Sequence, residues 1–280
     1  MTSEVSDRAA RVVAMSAMTS APSVGALLRD WRRHRRLSQL DVSLEAAVSA
    51  RHLSFVETGR SKPSREMVLH LAEHFDVPLR ERNALLLAAG YAPVYGERPL
   101  DAAAMAPVRG ALDKILASHA PFPALIVDRG WDLVSANAPA LTLLSDGVAP
   151  ELLAPPANSM RVALHPRGLG PRIVNLGEYG AHLLTRLQRQ TTLAPDPGIA
   201  ALLDELRGYP GVEGRDAAPV EPADLLFAPL RLRALGTELT LFGTLATFGT
   251  ALDITVAELA IESFFPADAM TDAALRRAFG

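Results

Sequence analysis

The chain has 280 residues, enough for about two domains, with 49% hydrophobic residues and a formal net charge of −3. The absence of cysteine excludes disulfides and cysteine-ligated zinc or iron–sulfur centres. No apolar run approaches the roughly 20 residues that a membrane-spanning helix needs, so no membrane partner is expected.

Residues 1–22 are small and polar with scattered charge and read as a disordered tail. The stretch from Val12 to Met18, behind Arg8 and Arg11, is too short and too weakly apolar for a secretory signal core, so a cytoplasmic protein is expected. Met15 or Met18 is a candidate start. From Val24 to Arg36, Leu27, Leu28 and Trp31 recur at helical spacing and predict a first helix. Ser38, with Asp41 three residues on, has the spacing of a capping box, and Val42 and Ala46 form the inward face of a second helix. After the very short break at Ala47-Val48, Ser49 caps a third helix whose apolar positions are Leu53 and Val56. Two short helices joined so tightly must cross, which is the helix-turn-helix arrangement that sends its second helix into the DNA major groove. Ser64 caps a fourth helix with Met67, Val68, Leu71 and Phe75 as its stripe. Pro78 opens and Gly90 closes a fifth, in which Leu85, Leu86 and Leu87 are expected to complete the core. Residues 23–90 are therefore predicted to be an all-α, five-helix DNA-binding domain. His70 and His74 have the spacing of two metal ligands, but Leu-Ala-Glu between them is not a zincin order and no third ligand is near. They read as a solvated face, and no metal is expected.

Charge points the same way. Arg29 to Arg65 holds nine Arg or Lys against four acids, a local balance of +5, so the rest of the chain sums to −8. Such an asymmetry suits a polyanionic partner for one part only, here double-stranded DNA.

Gln39 just after the cap, and the run Glu57-Thr58-Gly59-Arg60-Ser61-Lys62-Pro63-Ser64, resemble the Cro/repressor-type (XRE) helix-turn-helix domains. From Val24 to Pro266 the chain resembles MmyB-like regulators, in which such a domain precedes a PAS-like ligand-binding domain. One departure is Ala47, where many members carry a turn glycine. The resemblance implies that Arg32 pairs with Glu57 as a structural ion pair fixing the third helix on the first. Gln39 would anchor a phosphate or an adenine edge. Ser49, Arg51 and His52, at the start of the third helix, are placed for DNA, with Arg51 suited to guanine. Ser54 and Phe55 lie further along, Phe55 touching a thymine methyl or joining the core. Arg60, Lys62 and Ser64 suit phosphates, which position the protein without specifying sequence.

Residues 91–106, with Pro93, Gly96 and Pro99, read as a linker or the entry to a connecting helix, and 107–280 as the second domain. A helix from Val108 to Ser118 is followed by strands Ala124–Val127 and Trp131–Ala136 around the turn Asp128-Arg129-Gly130, and Asn137 caps the next helix. Strand, turn, strand, helix is how a PAS-like domain begins. A long helix is predicted over 173–190 and another from Pro197, then a loop over 210–222. Strands over 225–235 and 238–248 meet at Gly236, a third covers 259–264, and a helix over 269–279 closes the chain. The class is α+β with an antiparallel sheet.

No G-x-G-x-x-G, Walker loop or G-x-S-x-G is present, and the acids form no recognisable pair, so neither an enzyme nor a cofactor is expected. His165 and Arg161 are candidate ligand contacts, although a loop histidine bonded to backbone before Pro166 is the plainer reading of His165. The resemblance implies a cavity between sheet and helices for a small, largely apolar molecule, with a fatty acid or acyl compound as the candidate class and Leu241 on its wall. The expected function is a sequence-specific bacterial transcription regulator, a repressor, acting as a homodimer on a near-palindromic operator. The alternative is a DNA-binding autoregulator whose second domain is a dimerisation or protein-interaction module without ligand.

Overall fold

A computed structural model of the protein describes residues 22–212 and 229–280. The expected tail, most of the expected loop at 210–222 and the first residues of the strand expected from 225 lie outside the described residues. The backbone divides into two compact units, 1–94 and 95–280.

Among the described residues, the first unit has five helices: α1 (Val24–His34), α2 (Gln39–Glu45), α3 (Ala50–Glu57), α4 (Arg65–His74) and α5 (Leu79–Ala88). Four of them start at a serine whose hydroxyl accepts a backbone N–H of the first turn, Ser23, Ser38, Ser49 and Ser64. Each such cap contributes about 1 kcal/mol. At Ser38 the box closes, because the Asp41 carboxylate accepts from the Ser38 N–H at 2.7 Å in return. Leu28, Leu53, Leu71, Phe75, Leu85 and Leu86 are fully buried in one core. Leu87 is a correction: it is 60% exposed. Three consecutive helical residues span about 200°, so Leu85 and Leu86 take the inward face and Leu87 is turned out. Gly25 permits the tightest crossing, since a Cβ there would lie 2.1 Å from the Val56 carbonyl oxygen of α3. The α2–α3 turn passes through Ala47 at φ +53, the left-handed region.

The expected linker is held along its length. The Tyr91 hydroxyl donates to the Pro63 carbonyl at 2.9 Å and the Val94 N–H to Asn83 Oδ1 at 3.0 Å, both within the first unit. In the second unit Gly96 bridges to Asp253, Arg98 Nε donates to Asp253 Oδ2 at 2.8 Å, and Met105 is buried.

The second unit contains α6 (Ala106–His119), β1 (Ala124–Val127), β2 (Leu133–Ala136), α7 (Ala138–Ser145), α8 (Pro150–Leu153) and α9 (Ser159–Leu164). Then come α10 (Leu176–Leu193), α11 (Pro197–Arg207), β3 (Leu230–Ala234), β4 (Thr237–Thr247), α12 (Ile254–Ala257), β5 (Ala260–Pro266) and α13 (Ala269–Phe279). The described strands form one antiparallel, PAS-like sheet in the order β2-β1-β5-β4-β3. Alternation gives it two buried faces. Ala124, Ile126 and Ile261 face Leu112 and Leu116 of α6. Leu125, Val127, Leu232, Leu239 and Leu241 face the main core with α9, α10 and α11. The β3–β4 hairpin turns on Leu235 and Gly236, both with positive φ, as a two-residue loop of primed type requires.

Three expectations shift. Trp131 adopts φ +67 and belongs to the turn, so β2 starts at Leu133. The long helix starts at Leu176 and not at 173, after a 3-10 turn at Gly170–Arg172. Short helices α8 and α9 occupy a stretch for which no element was expected; Pro155 and Pro156 follow α8 and Pro166 follows α9, so neither runs on. None of the described helices is long and apolar enough to cross a membrane.

Candidate functional site

The helix-turn-helix is held by a cluster of three side chains, two of them buried. Arg32 Nε donates to Glu57 Oε1 at 2.6 Å and Arg32 Nη2 to Glu57 Oε2 at 2.8 Å, and both residues are buried. Gln39 Nε2 donates to Glu57 Oε2 at 2.8 Å. Arg32 Nη1 also donates to the Leu37 carbonyl at 2.7 Å, so one arginine ties α1 to α3 and to the start of α2. Burial would push the Glu57 carboxyl up, but hydrogen bonds from Arg32 and Gln39, with the Arg32 charge, outweigh it and hold the group below its ordinary range. Arg35 is engaged internally as well. It donates to the carbonyls of Phe75 and Asp76, at 2.6 and 2.9 Å, where α4 ends.

Arg51, Arg60, Lys62, Ser49 and Ser64 are exposed. The Arg51 and Arg60 guanidiniums lie over the Phe55 ring at 5.4 and 6.0 Å from its centroid. Phe55 is half-buried, and its ring gathers the two arginines on one side of α3. Lys62 Nζ sits 5.1 Å from the Tyr91 ring centroid. Ser49 and Ser64 use their oxygens as caps, and the Ser64 hydroxyl also hydrogen-bonds the Glu66 carboxylate. His52 and Ser54 are half-buried on α3. His70 Nε2 lies 2.7 Å from the Ala46 carbonyl, which ties α4 to the end of α2, and His74 Nε2 lies 3.4 Å from the Glu45 carboxylate without a hydrogen bond.

In the second unit a cavity of about 60 Å³ lies between the sheet and helices α7, α9 and α10. By the measure in which one water needs roughly 10–15 Å³, it has room for a few methylene-sized groups. Its wall is mostly apolar, with Leu125, Leu143, Met160, Leu183, Leu232 and Leu241 among its residues. Arg161 and His165, the candidate ligand contacts, are not on that wall, and His165 follows its plainer reading as a histidine bonded to backbone. Arg161 Nε and Nη2 each donate to the Glu205 carboxylate at 2.8 Å. His165 Nδ1 accepts from the Arg167 N–H at 2.9 Å, and its ring meets Tyr209 edge-on at 5.0 Å. On α9 the side facing the cavity belongs to Ser159, Met160 and Ala163, which turns Arg161 towards α11.

Sequence reasoning missed the polar residues of the wall, Ser159 on α9, whose hydroxyl donates to the Trp131 carbonyl, Tyr179 on α10 and Glu262 on β5. Tyr179 and Glu262 are both 7% exposed. Glu262 Oε1 accepts from Arg186 Nη1 at 2.7 Å, and the Arg186 guanidinium lies 5.3 Å from the Trp131 ring centroid. The Tyr179 hydroxyl has no hydrogen-bond partner among the described residues, and burial together with the Glu262 charge pushes its pKa up. The signal for Glu262 was present in Ala260-Ile261-Glu262-Ser263-Phe264, where strand alternation sets the acid on the face of Ala260 and Phe264.

Residues 108–278 match the family model of the MmyB-like transcription regulator ligand binding domain, and residues 23–85 match that of a helix-turn-helix domain. No curated protein matches the chain. Among solved structures, an RNA-binding light-oxygen-voltage receptor covers 97% of this chain and 67% of its own at 12% identity. Its TM-score of 0.25 is too low to carry an argument.

Proposed function

The chain belongs to the MmyB-like transcription regulators, a helix-turn-helix domain followed by a ligand-binding domain, and from that premise we propose that it is a repressor released from its operator by a small apolar ligand of acyl type. The observation that carries this role is the apolar cavity within the matched ligand-binding domain. Arg51 and His52 are assigned to base edges, and Gln39, Ser49, Arg60, Lys62 and Ser64 to phosphates and register. Ser54 and Phe55 complete the groove-facing side of α3, Phe55 as a platform for the two arginines. A ligand changes DNA affinity only as far as it binds one state of the protein better than the other. A coupling of about 1–3 kcal/mol is ordinary and suffices for derepression.

Filling the cavity is the test. Leu241 is 1% exposed and lines it, so Leu241→Trp should exclude ligand and leave operator binding intact. Leu241→Phe is the milder filling if the indole prevents folding, since overpacking costs about 1–3 kcal/mol. Operator affinity is measured on wild type and variants with and without octanoic acid and octanamide. A wild-type affinity that neither compound alters rules out the switch and leaves the second domain as a dimerisation module.

A further inference from the structure

The cavity wall carries a carboxylate and a phenol that packing does not require. Along β5 the alternation turns Ala260, Glu262 and Phe264 towards the main core, where β1, β3 and β4 present Leu125, Leu232 and Leu241. A carboxylate at such a position is expensive unless it is paired. Arg186 pairs with one of its oxygens, Oε1. No hydrogen bond reaches Oε2, or the Tyr179 hydroxyl, among the described residues, and both side chains line the cavity. A donor and an acceptor without a protein partner among the described residues, close enough for the Glu262 charge to act on Tyr179, thus line a mostly apolar space.

Resting on the ligand reading above, we propose that this cavity selects an amphipathic molecule with an apolar chain and a neutral hydrogen-bonding head, a primary alcohol or primary amide, over the free carboxylic acid of the same chain. Such a head donates to Glu262 Oε2 and accepts from the Tyr179 O–H, so one group satisfies both. A carboxylate head accepts from Tyr179 but sets a second negative charge beside Glu262 in a low-dielectric space. Arg186 does not offset this, because its charge is paired with Glu262 and its guanidinium is stacked on Trp131. An ammonium head would meet Glu262 but must leave water as a charge, which a neutral donor avoids.

Calorimetric titration of the full chain at neutral pH with octanol, octanamide, octanoic acid and octylamine reads the preference. Octanol and octanamide should bind about tenfold more tightly than octanoate, the size of one hydrogen bond to a charged group. Tyr179→Phe should weaken the alcohol, the amide and octanoate several-fold, since all three accept from its hydroxyl, and leave octylamine unchanged. Glu262→Gln should narrow the gap between amide and acid, and a Glu262→Gln/Arg186→Gln double variant serves if the single one leaves Arg186 too destabilising. Octanoate or octylamine binding most tightly overturns the inference, as does a Tyr179→Phe protein with all four affinities unchanged. If none of the four binds, the ligand reading falls with it. If all bind equally while operator affinity still responds, only the head-group inference falls.

Discussion

Ala47 holds the α2–α3 turn in the left-handed region at φ +53. An L-residue there is strained by roughly 1–2 kcal/mol, and glycine is not. The side chain is exposed, so little packing is lost by removing it. After allowance for the greater freedom of glycine in the unfolded chain, Ala47→Gly should stabilise by about 0.5–1 kcal/mol. An unchanged urea midpoint would locate no strain at this residue. Glu57 is the opposite case, a buried charge that depends on its partners. Removing one member of a buried pair costs about 3–5 kcal/mol, whereas replacing both by apolar residues is often near neutral. Glu57→Gln should therefore unfold the first unit far more readily than Arg32→Leu/Glu57→Leu does. Because the folded carboxyl titrates below its ordinary range, its contribution is present above the unfolded value, about 4.3, and is lost as pH falls through the lower folded value. Trp31 emission in a Trp131→Phe background should show that loss in the wild-type pair and not in Glu57→Gln. An identical acid profile in both would remove Glu57 from the account.

At the scale of elements, α3 and the turn after it divide reading from anchoring. Arg51→Ala should cost about 1–3 kcal/mol on the cognate operator and relax the preference at one base pair, while Lys62→Ala should weaken all DNA alike and lower the salt slope by about 1. Interchanged profiles would mean that α3 is docked in another register. The elements differ in how visible they are in sequence. The first five helices carry their own start signals, four capping serines and Pro78, so the order of residues alone delimits them. Helices α8 and α9 have four and six residues, less than two turns, and show too little period to be recognised. Trp131 looked like strand because it is aromatic and follows a turn, yet the turn itself continues through it. The carboxylate on the cavity wall depends on Glu262 meeting Arg186 across 76 residues of chain, a pairing no local pattern contains. Arg161 and His165 were candidate ligand contacts, but Arg161 is taken up by Glu205 on α11 and His165 by the backbone two residues on.

For the whole molecule the relevant charge is smaller than the residue count suggests. Of the nine cations between Arg29 and Arg65, Arg32 and Arg35 are engaged inside the fold. Operator affinity should still fall steeply with salt, with a slope near −0.9 for each phosphate neutralised. Arg60→Gln should reduce that slope, whereas Arg35→Gln should leave it unchanged while lowering stability. A slope that responds to Arg35 and not to Arg60 would place the DNA on a different face. One small domain offers few contacts, so a homodimer is expected on half-sites about 34 Å apart or a multiple of that. Light scattering that finds a monomer at micromolar concentration, both free and on DNA, would contradict this.

The cluster of Arg32, Gln39 and Glu57 also bears on inheritance. Each single replacement of either charged member strands its partner, a step of about 3–5 kcal/mol in a fold whose whole margin is about 5–15 kcal/mol. Lineages that keep this domain should therefore retain both charges or exchange both together, with Gln39 free to drift only while the pair endures. Arg32 and Glu57, 25 positions apart in the chain, should be inherited as a single locus.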